Sequence, residues 1–183
     1  CIKDEGWDLI TLQQGSTYSG LAEKYGSHIN TLIGIVNENK TNPKAEIIWN
    51  QTWTYTKDYS RDDSYATNYN SNQQTMISGI NNAVSVKVKP LVETGDIKYI
   101  IPAGTAIQNL RENGNDETLG ASTDGLHLNT LGKYTAGLTW FAKITGKSID
   151  DITYTPSDAV TEKLTLIKQS VNNAIINPDS VTK

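Results

Sequence analysis

Short apolar runs alternate with longer segments of helical periodicity, and this alternation restricts the possible folds of the chain more than any other feature. Strands are predicted at residues 7–14, 45–53 and 97–102. Helices are predicted between and after them, at 19–39, 72–88, 130–145 and from Pro156 to the Asn177-Pro178 stop. Strand–helix–strand alternation predicts an α/β fold, with a parallel sheet covered by helices on both faces.

The predicted sheet is thin, because only three strands are found in the chain. Residues 1–6 have the character of a helix tail that ends at Gly6. We therefore expect a truncated chain whose sheet is incomplete at the N-terminus, with roughly 60 or more residues of two strand–helix units before Cys1. Within the chain, residues 1–147 are predicted to form the C-terminal part of one α/β domain, and 148–183 a helical extension packing on it.

Charge and composition exclude several classes of function. The net charge is −4 and no block of Lys and Arg occurs, which argues against nucleic acid as a partner. The single Cys excludes an internal disulfide and a cysteine-based zinc site. Asp58 has no second ligand at a suitable spacing, so no metal or other cofactor is expected. No run approaches the roughly 20 apolar residues of a membrane span.

Polar and aromatic side chains stand at and just after the carboxyl ends of the first two predicted strands. Ligands of open α/β sheets bind at the carboxyl ends of the strands. We therefore expect this edge of the sheet to carry a site, formed by Gln13, Gln14, Gln51, Trp53 and Tyr55. The loop from Trp53 to Tyr69 is rich in aromatic rings, which suit stacking on sugars; the alternative is that these rings pack on one another.

Asp124 and His127 form the strongest candidate for chemistry. A histidine can remove a proton from a nucleophile and return it to a leaving group, and a carboxylate on its other ring nitrogen fixes its orientation. Gly125 lies between them and allows the loop to curl until the two side chains meet. In the alternative interpretation, Asp124 caps the following helix and His127 is an ordinary polar residue.

Four segments give the chain a resemblance to the SGNH (GDSL-like) hydrolase superfamily, and within it to a bacterial branch described as a domain of unknown function. They occur in the family's order and span most of the chain up to Gly146: WDLITLQQGSTYSG, AEIIWNQTWTY, IIPAGTAIQN and DGLHLNTLGKYTAGLTWFAKITG. The resemblance implies a flavodoxin-like three-layer sandwich, a serine esterase acting on ester bonds such as acyl groups on carbohydrate, and an extracytoplasmic location.

The resemblance also assigns roles to individual residues. His127 would be the general base, Asp124 its orienter, and Gln14 or Gln13 the amide donor to the oxyanion. Gln14 is preferred because it stands at the end of the strand. Gln13 would then contact the substrate, together with Gln51, Trp53 and Tyr55.

The nucleophilic serine of such a site is not found in the chain. No serine follows Gly-Asp or Gly-Asn at a strand exit, and Gly15-Ser16 comes nearest. Three hypotheses remain open at this point. The serine lies upstream of Cys1, the domain is a non-catalytic carbohydrate-binding module on this scaffold, or Ser16 itself is the nucleophile.

Overall fold

The three predicted strands form one parallel sheet in the computed structural model, which describes residues 1–182. The strands are β1 (Leu9–Leu12), β2 (Glu46–Asn50) and β3 (Ile100–Ile101), in the order β1-β2-β3. Ile10 lies opposite Ile47, and Trp49 opposite Ile100. The predicted α/β class and the parallel sheet are therefore confirmed, although each strand is shorter than expected.

About half of the described residues are helical. A π-helical turn, Val84–Val88, joins α3 to α4, and 3₁₀ turns occur at Ser16–Tyr18 and Ala22–Lys24. The α-helices are α1 (His28–Asn39), α2 (Ser64–Tyr69), α3 (Gln73–Ala83), α4 (Lys89–Glu93), α5 (Ala103–Gly114), α6 (Thr130–Thr145) and α7 (Asp158–Ile176).

Two predictions for the N-terminal part are wrong. The single helix expected at 19–39 is broken, since Gly26 has a φ of +46° and the α-helix begins only at His28. Residues 1–6 do not form a helix; the Asp4 amide donates to the Cys1 carbonyl at 3.1 Å in a turn.

Helices cover both faces of the sheet. Ile47 and Trp49 of β2 point to one face and pack in a core with residues of α1 and α3. Ile48 points to the opposite face, where Ala136 and Trp140 of α6 pack against the strands. Alternation of side chains along β2 therefore divides the core into two halves.

A further core holds the C-terminal helices together. α7 packs against α5 and α6. Its buried Val160, Ile167 and Val171 lie in one cluster with Leu110 and Leu131. Among residues 1–182, no helix is both long enough and apolar enough to cross a bilayer.

The C-terminal tail (residues 177–182) folds back onto α3 and α5. The Thr105 hydroxyl donates to the Pro178 carbonyl at 2.7 Å. The Asn81 amide donates to the Asp179 carbonyl at 2.9 Å, across 98 residues of sequence. The tail thereby ties α3 to α5.

Candidate functional site

The Asp124 carboxylate organises the loop that precedes α6. Its Oδ1 accepts hydrogen bonds from the backbone N–H groups of Leu126 at 3.0 Å and His127 at 2.9 Å. Its Oδ2 lies 2.6 Å from Nδ1 of His127. The contact expected between the two side chains is present. The alternative role for Asp124 is wrong, because Asn129 caps α6 and accepts from the Gly132 N–H at 3.1 Å.

The bonds to Asp124 have electrostatic consequences. The imidazole of His127 and then the two backbone donors hold the pKa of the Asp124 carboxyl well below its usual range. A carboxylate at Nδ1 favours the tautomer with its proton there, which leaves the lone pair on Nε2. The His127 side chain is 60% exposed, and no hydrogen bond from residues 1–182 reaches Nε2. This nitrogen is therefore available to accept a proton.

The loop docks on the chain that leaves β2. The Thr56 N–H donates to the Gly125 carbonyl at 2.9 Å, and the Trp53 indole donates to the Leu126 carbonyl at 2.8 Å. Gly125 has a φ of +70°, and a Cβ atom there would lie 2.6 Å from the backbone nitrogen of Tyr59. The Asp124–His127 pair consequently lies beyond the carboxyl end of the sheet, where ligands of open α/β sheets bind.

Two glycines close the base of the loop. A Cβ atom on Gly132 would lie 2.1 Å from the Gly120 carbonyl oxygen, so the backbones touch where α6 begins. Between them, the Ser122 N–H donates to the His127 carbonyl at 2.7 Å. The loop is thus pinned at its base as well as at its tip.

A buried polar network supports the segment on which the loop rests. Arg111 is only 2% exposed, and its Nη1 donates to the carbonyl of Thr54 at 3.1 Å and to its hydroxyl at 2.7 Å. The Thr54 hydroxyl in turn donates to Gln108 at 3.0 Å. Burial lowers the pKa of the Arg111 guanidinium to about 10. The backbone between Trp53 and Thr56 is therefore held by buried side chains of α5.

Arg61 contacts the pair from the neighbouring loop. Its Nη2 lies 3.0 Å from Oδ2 of Asp124, the oxygen that also contacts His127. This contact is not among those that the sequence predicts. No periodicity or local motif in the sequence indicates it.

The two glutamines after β1 have different environments. Nε2 of Gln14 donates to the Lys24 carbonyl at 3.2 Å, and its Oε1 accepts from the Gly15 N–H. Oε1 of Gln13 accepts from Asn50 at 3.0 Å, while its Nε2 bonds to none of residues 1–182. Neither glutamine contacts Asp124 or His127 directly. Within the described chain, both N–H donors of the Gln13 amide are free, whereas one of the two on Gln14, the residue preferred from the sequence, is used.

Two of the predicted substrate-contact residues have buried side chains, and their contact with substrate stays a prediction. Gln51 is buried, and its amide bonds to Asn81 at 2.7 Å and to the Thr105 N–H at 3.0 Å. Tyr55 is 1% exposed, and Tyr59 stacks on it with ring centroids 3.9 Å apart. Both side chains turn into the protein after β2 ends. The aromatic loop therefore packs on its own rings, and Tyr65 and Tyr69 are buried with it.

Other candidate groups lie apart from the pair or beside it. Trp53 is partly exposed next to the loop, and its contact with substrate stays a prediction. Ser16 lies in a 3₁₀ turn after β1 and makes no hydrogen bond to His127. Within residues 1–182, no three His, Cys, Asp or Glu side chains are grouped so that they could hold a metal ion.

Comparisons with known proteins give a family. Residues 1–174 match the family described as "Domain of unknown function (DUF4886)". The crystal structure of a DUF4886 family protein from Bacteroides uniformis ATCC 8492 is similar, with a TM-score of 0.85 and 33% sequence identity. The match covers 99% of this chain and 67% of that one. Comparison with curated proteins gave no match.

Proposed function

The chain belongs to the DUF4886 family, and for a member with this site we propose ester hydrolysis by a serine mechanism of the SGNH type. The Asp124–His127 pair carries the proposal. Its Nδ1–Oδ2 distance is 2.6 Å and its second ring nitrogen is open, at the carboxyl end of a parallel sheet. This is the geometry that a general base and its orienting carboxylate require.

Each proton in the proposed reaction has an acceptor. Nε2 of His127 takes the proton from a serine hydroxyl while the oxygen attacks the ester carbonyl. Asp124 stabilises the imidazolium that forms. The imidazolium then gives its proton to the leaving alcohol, and an acyl-serine ester remains. A water molecule, deprotonated by the same nitrogen, attacks the acyl-serine carbonyl. The imidazolium returns this proton to the serine oxygen as the bond from serine to the acyl carbon breaks, and the acyl group leaves as the carboxylic acid.

The oxyanion donor in this proposal is Gln13 rather than Gln14. The bond from Asn50 fixes the oxygen of the Gln13 amide and leaves its N–H donors free. In Gln14, one of the two N–H donors is bonded to the Lys24 carbonyl, and this bond restricts the orientation of the amide. A preorganised amide is effective here because negative charge develops on the carbonyl oxygen in the transition state.

We place the serine in a segment that precedes Cys1, as the sequence analysis expected. β1 pairs only with β2 among the described strands, so its other edge is open. Leu32 of α1 is 43% exposed and Phe141 of α6 is 37% exposed, on the helices that cover opposite faces of the sheet. A further strand and its helices would cover these groups and complete a flavodoxin-like sandwich.

The test uses the full-length protein as its source produces it. We expect it to hydrolyse 4-nitrophenyl acetate, and we expect a fluorophosphonate probe to label one serine upstream of Cys1. His127→Ala should lower turnover by about three orders of magnitude or more. Lys147→Ala is the control, because Lys147 is exposed after the end of α6, outside the Asp124 loop and outside the cavity that Gln13 lines.

The other outcomes separate the remaining hypotheses. Labelling of Ser16 would move the nucleophile into this chain. If the protein shows no labelling and no hydrolysis, the esterase is refuted and a binding module remains. Glycan binding is then the next measurement. The buried rings of Tyr55, Tyr65 and Tyr69 no longer support stacking on sugars. Carbohydrate as the alcohol part of the ester therefore rests on the resemblance alone.

A further inference from the structure

Arg61 and His127 share one oxygen atom of Asp124. Oδ2 lies 2.6 Å from Nδ1 of His127 and 3.0 Å from Nη2 of Arg61. The Asp124 side chain is 24% exposed and that of Arg61 is 54% exposed. Arg61 forms no other ion pair or hydrogen bond with residues 1–182. Its one charged contact within the described residues is therefore with the Asp124–His127 pair.

The backbone that carries Arg61 is fixed on both sides. The neighbouring Asp62 accepts from the Ser64 N–H at 2.7 Å and from the Tyr59 hydroxyl at 2.8 Å. The Tyr59 ring stacks on the buried ring of Tyr55. An exposed ion pair is usually weak because two mobile side chains must be ordered. Here the backbone of Arg61 is placed by the turn, and the Asp124 side chain is already ordered by its Oδ1 bonds, so only the Arg61 side chain must be ordered.

The Asp124 carboxylate cannot rotate freely when Arg61 is removed. Its Oδ1 is held by the backbone N–H groups of Leu126 and His127, so Oδ2 keeps its direction with or without Arg61. The main effect of Arg61 is therefore electrostatic. A guanidinium is always charged, and it attenuates the attraction of the carboxylate for an imidazolium.

We infer that Arg61 is a positioning residue that acts through Asp124 and lowers the proton affinity of His127. The inference deepens the proposed esterase mechanism, because it assigns the group that adjusts the strength of the general base. Within residues 1–182, the one charged group outside the pair that contacts it is Arg61, in the 57–63 loop. Asp62, on the same turn, bonds to Tyr59 and Ser64 instead.

The experiment is an NMR titration of the histidine rings in the full-length protein. The His127 resonance is identified by its disappearance in His127→Gln. Arg61→Gln should raise the proton affinity of His127 roughly two- to five-fold, the range expected from an exposed ion pair. Arg61→Lys should give a smaller rise, because the charge remains. His28 should not shift in either variant.

Lys57→Gln is the matched control, because it removes an exposed cation of the same loop that forms no ion pair with Asp124. It should leave the His127 titration nearly unchanged. The inference is refuted if Arg61→Gln leaves the titration unmoved, lowers the proton affinity, or has only the effect of Lys57→Gln.

Hydrolysis gives a second readout. In an active enzyme, the acid limb of the pH profile of kcat/KM should move to higher pH in Arg61→Gln by the same increment as the titration. A purely structural role would lower the plateau and leave the limb in place. Absence of hydrolysis in the wild type would refute the esterase. The titration would still show whether Arg61 changes the proton affinity of His127.

Discussion

Replacement of Gly125 by Ala tests whether the Asp124–His127 loop depends on its close approach to the 56–59 turn. The φ of +70° disfavours any residue with a side chain by about 1–2 kcal/mol. The new Cβ would also lie 2.6 Å from the Tyr59 nitrogen and 2.7 Å from the Thr56 hydroxyl. Overpacking of this kind adds about 1–3 kcal/mol. We expect the free energy of unfolding to fall by about 2–4 kcal/mol, with the loop displaced from the turn.

The assay is urea unfolding followed by tryptophan fluorescence. Gly137→Ala is the control, since Gly137 lies within α6 and a Cβ atom there meets nothing within 4 Å. That variant should gain about 0.5–1 kcal/mol, because alanine favours the helix. If Gly125→Ala were within about 0.5 kcal/mol of the wild type, the loop would not need this contact and the reasoning would be refuted.

Three further predictions concern the same region. The pKa of the Asp124 carboxyl is lowered by folding, so its stabilisation is present above the unfolded value near 3.9 and is lost as the pH falls through the folded value. The melting temperature of Asp124→Asn should therefore fall less than that of the wild type between about pH 5 and about pH 2; parallel curves would contradict this. Trp53→Phe should lose about 1 kcal/mol in urea unfolding, because the Leu126 carbonyl loses its indole donor. Arg111→Ala should lose about 3 kcal/mol in the same assay, because it removes two bonds from a cation to buried Thr54; a loss below about 1 kcal/mol would show that the network does not hold the segment.

Local periodicity predicts the elements of this protein better than their contacts. The parallel sheet and the helices at 130–145 and 72–88 follow from patterns within single segments, and the structure contains them. The contact between Asp124 and His127 was one of the two interpretations that the spacing left open, because Gly125 allows the loop to curl until the side chains meet. Gly26, with its positive φ, is the local signal that breaks the predicted helix at 19–39.

The direction of side chains beyond a strand end was not predictable. Gln51 and Tyr55 follow β2 closely. The directions of their side chains would be predictable only if the alternation along the strand continued past its end. The chain leaves the strand there, and the Gln51 side chain bonds to partners in α3 and α5 instead. Arg61 stands far from Asp124 in sequence, so only the folded 56–59 turn brings them together.

The return of the C-terminal tail sets an order for folding during synthesis. The Asn81–Asp179 bond spans 98 residues, so it cannot form until almost the whole described chain has left the ribosome. Domains begin to fold as they emerge, at roughly 5–20 residues per second of synthesis. The β1–β2 pair and α1 are available early, whereas the tie between α3 and α5 must wait. A nascent chain stalled before residue 177 should therefore hold its sheet core while the surfaces that receive the tail stay open to chaperones.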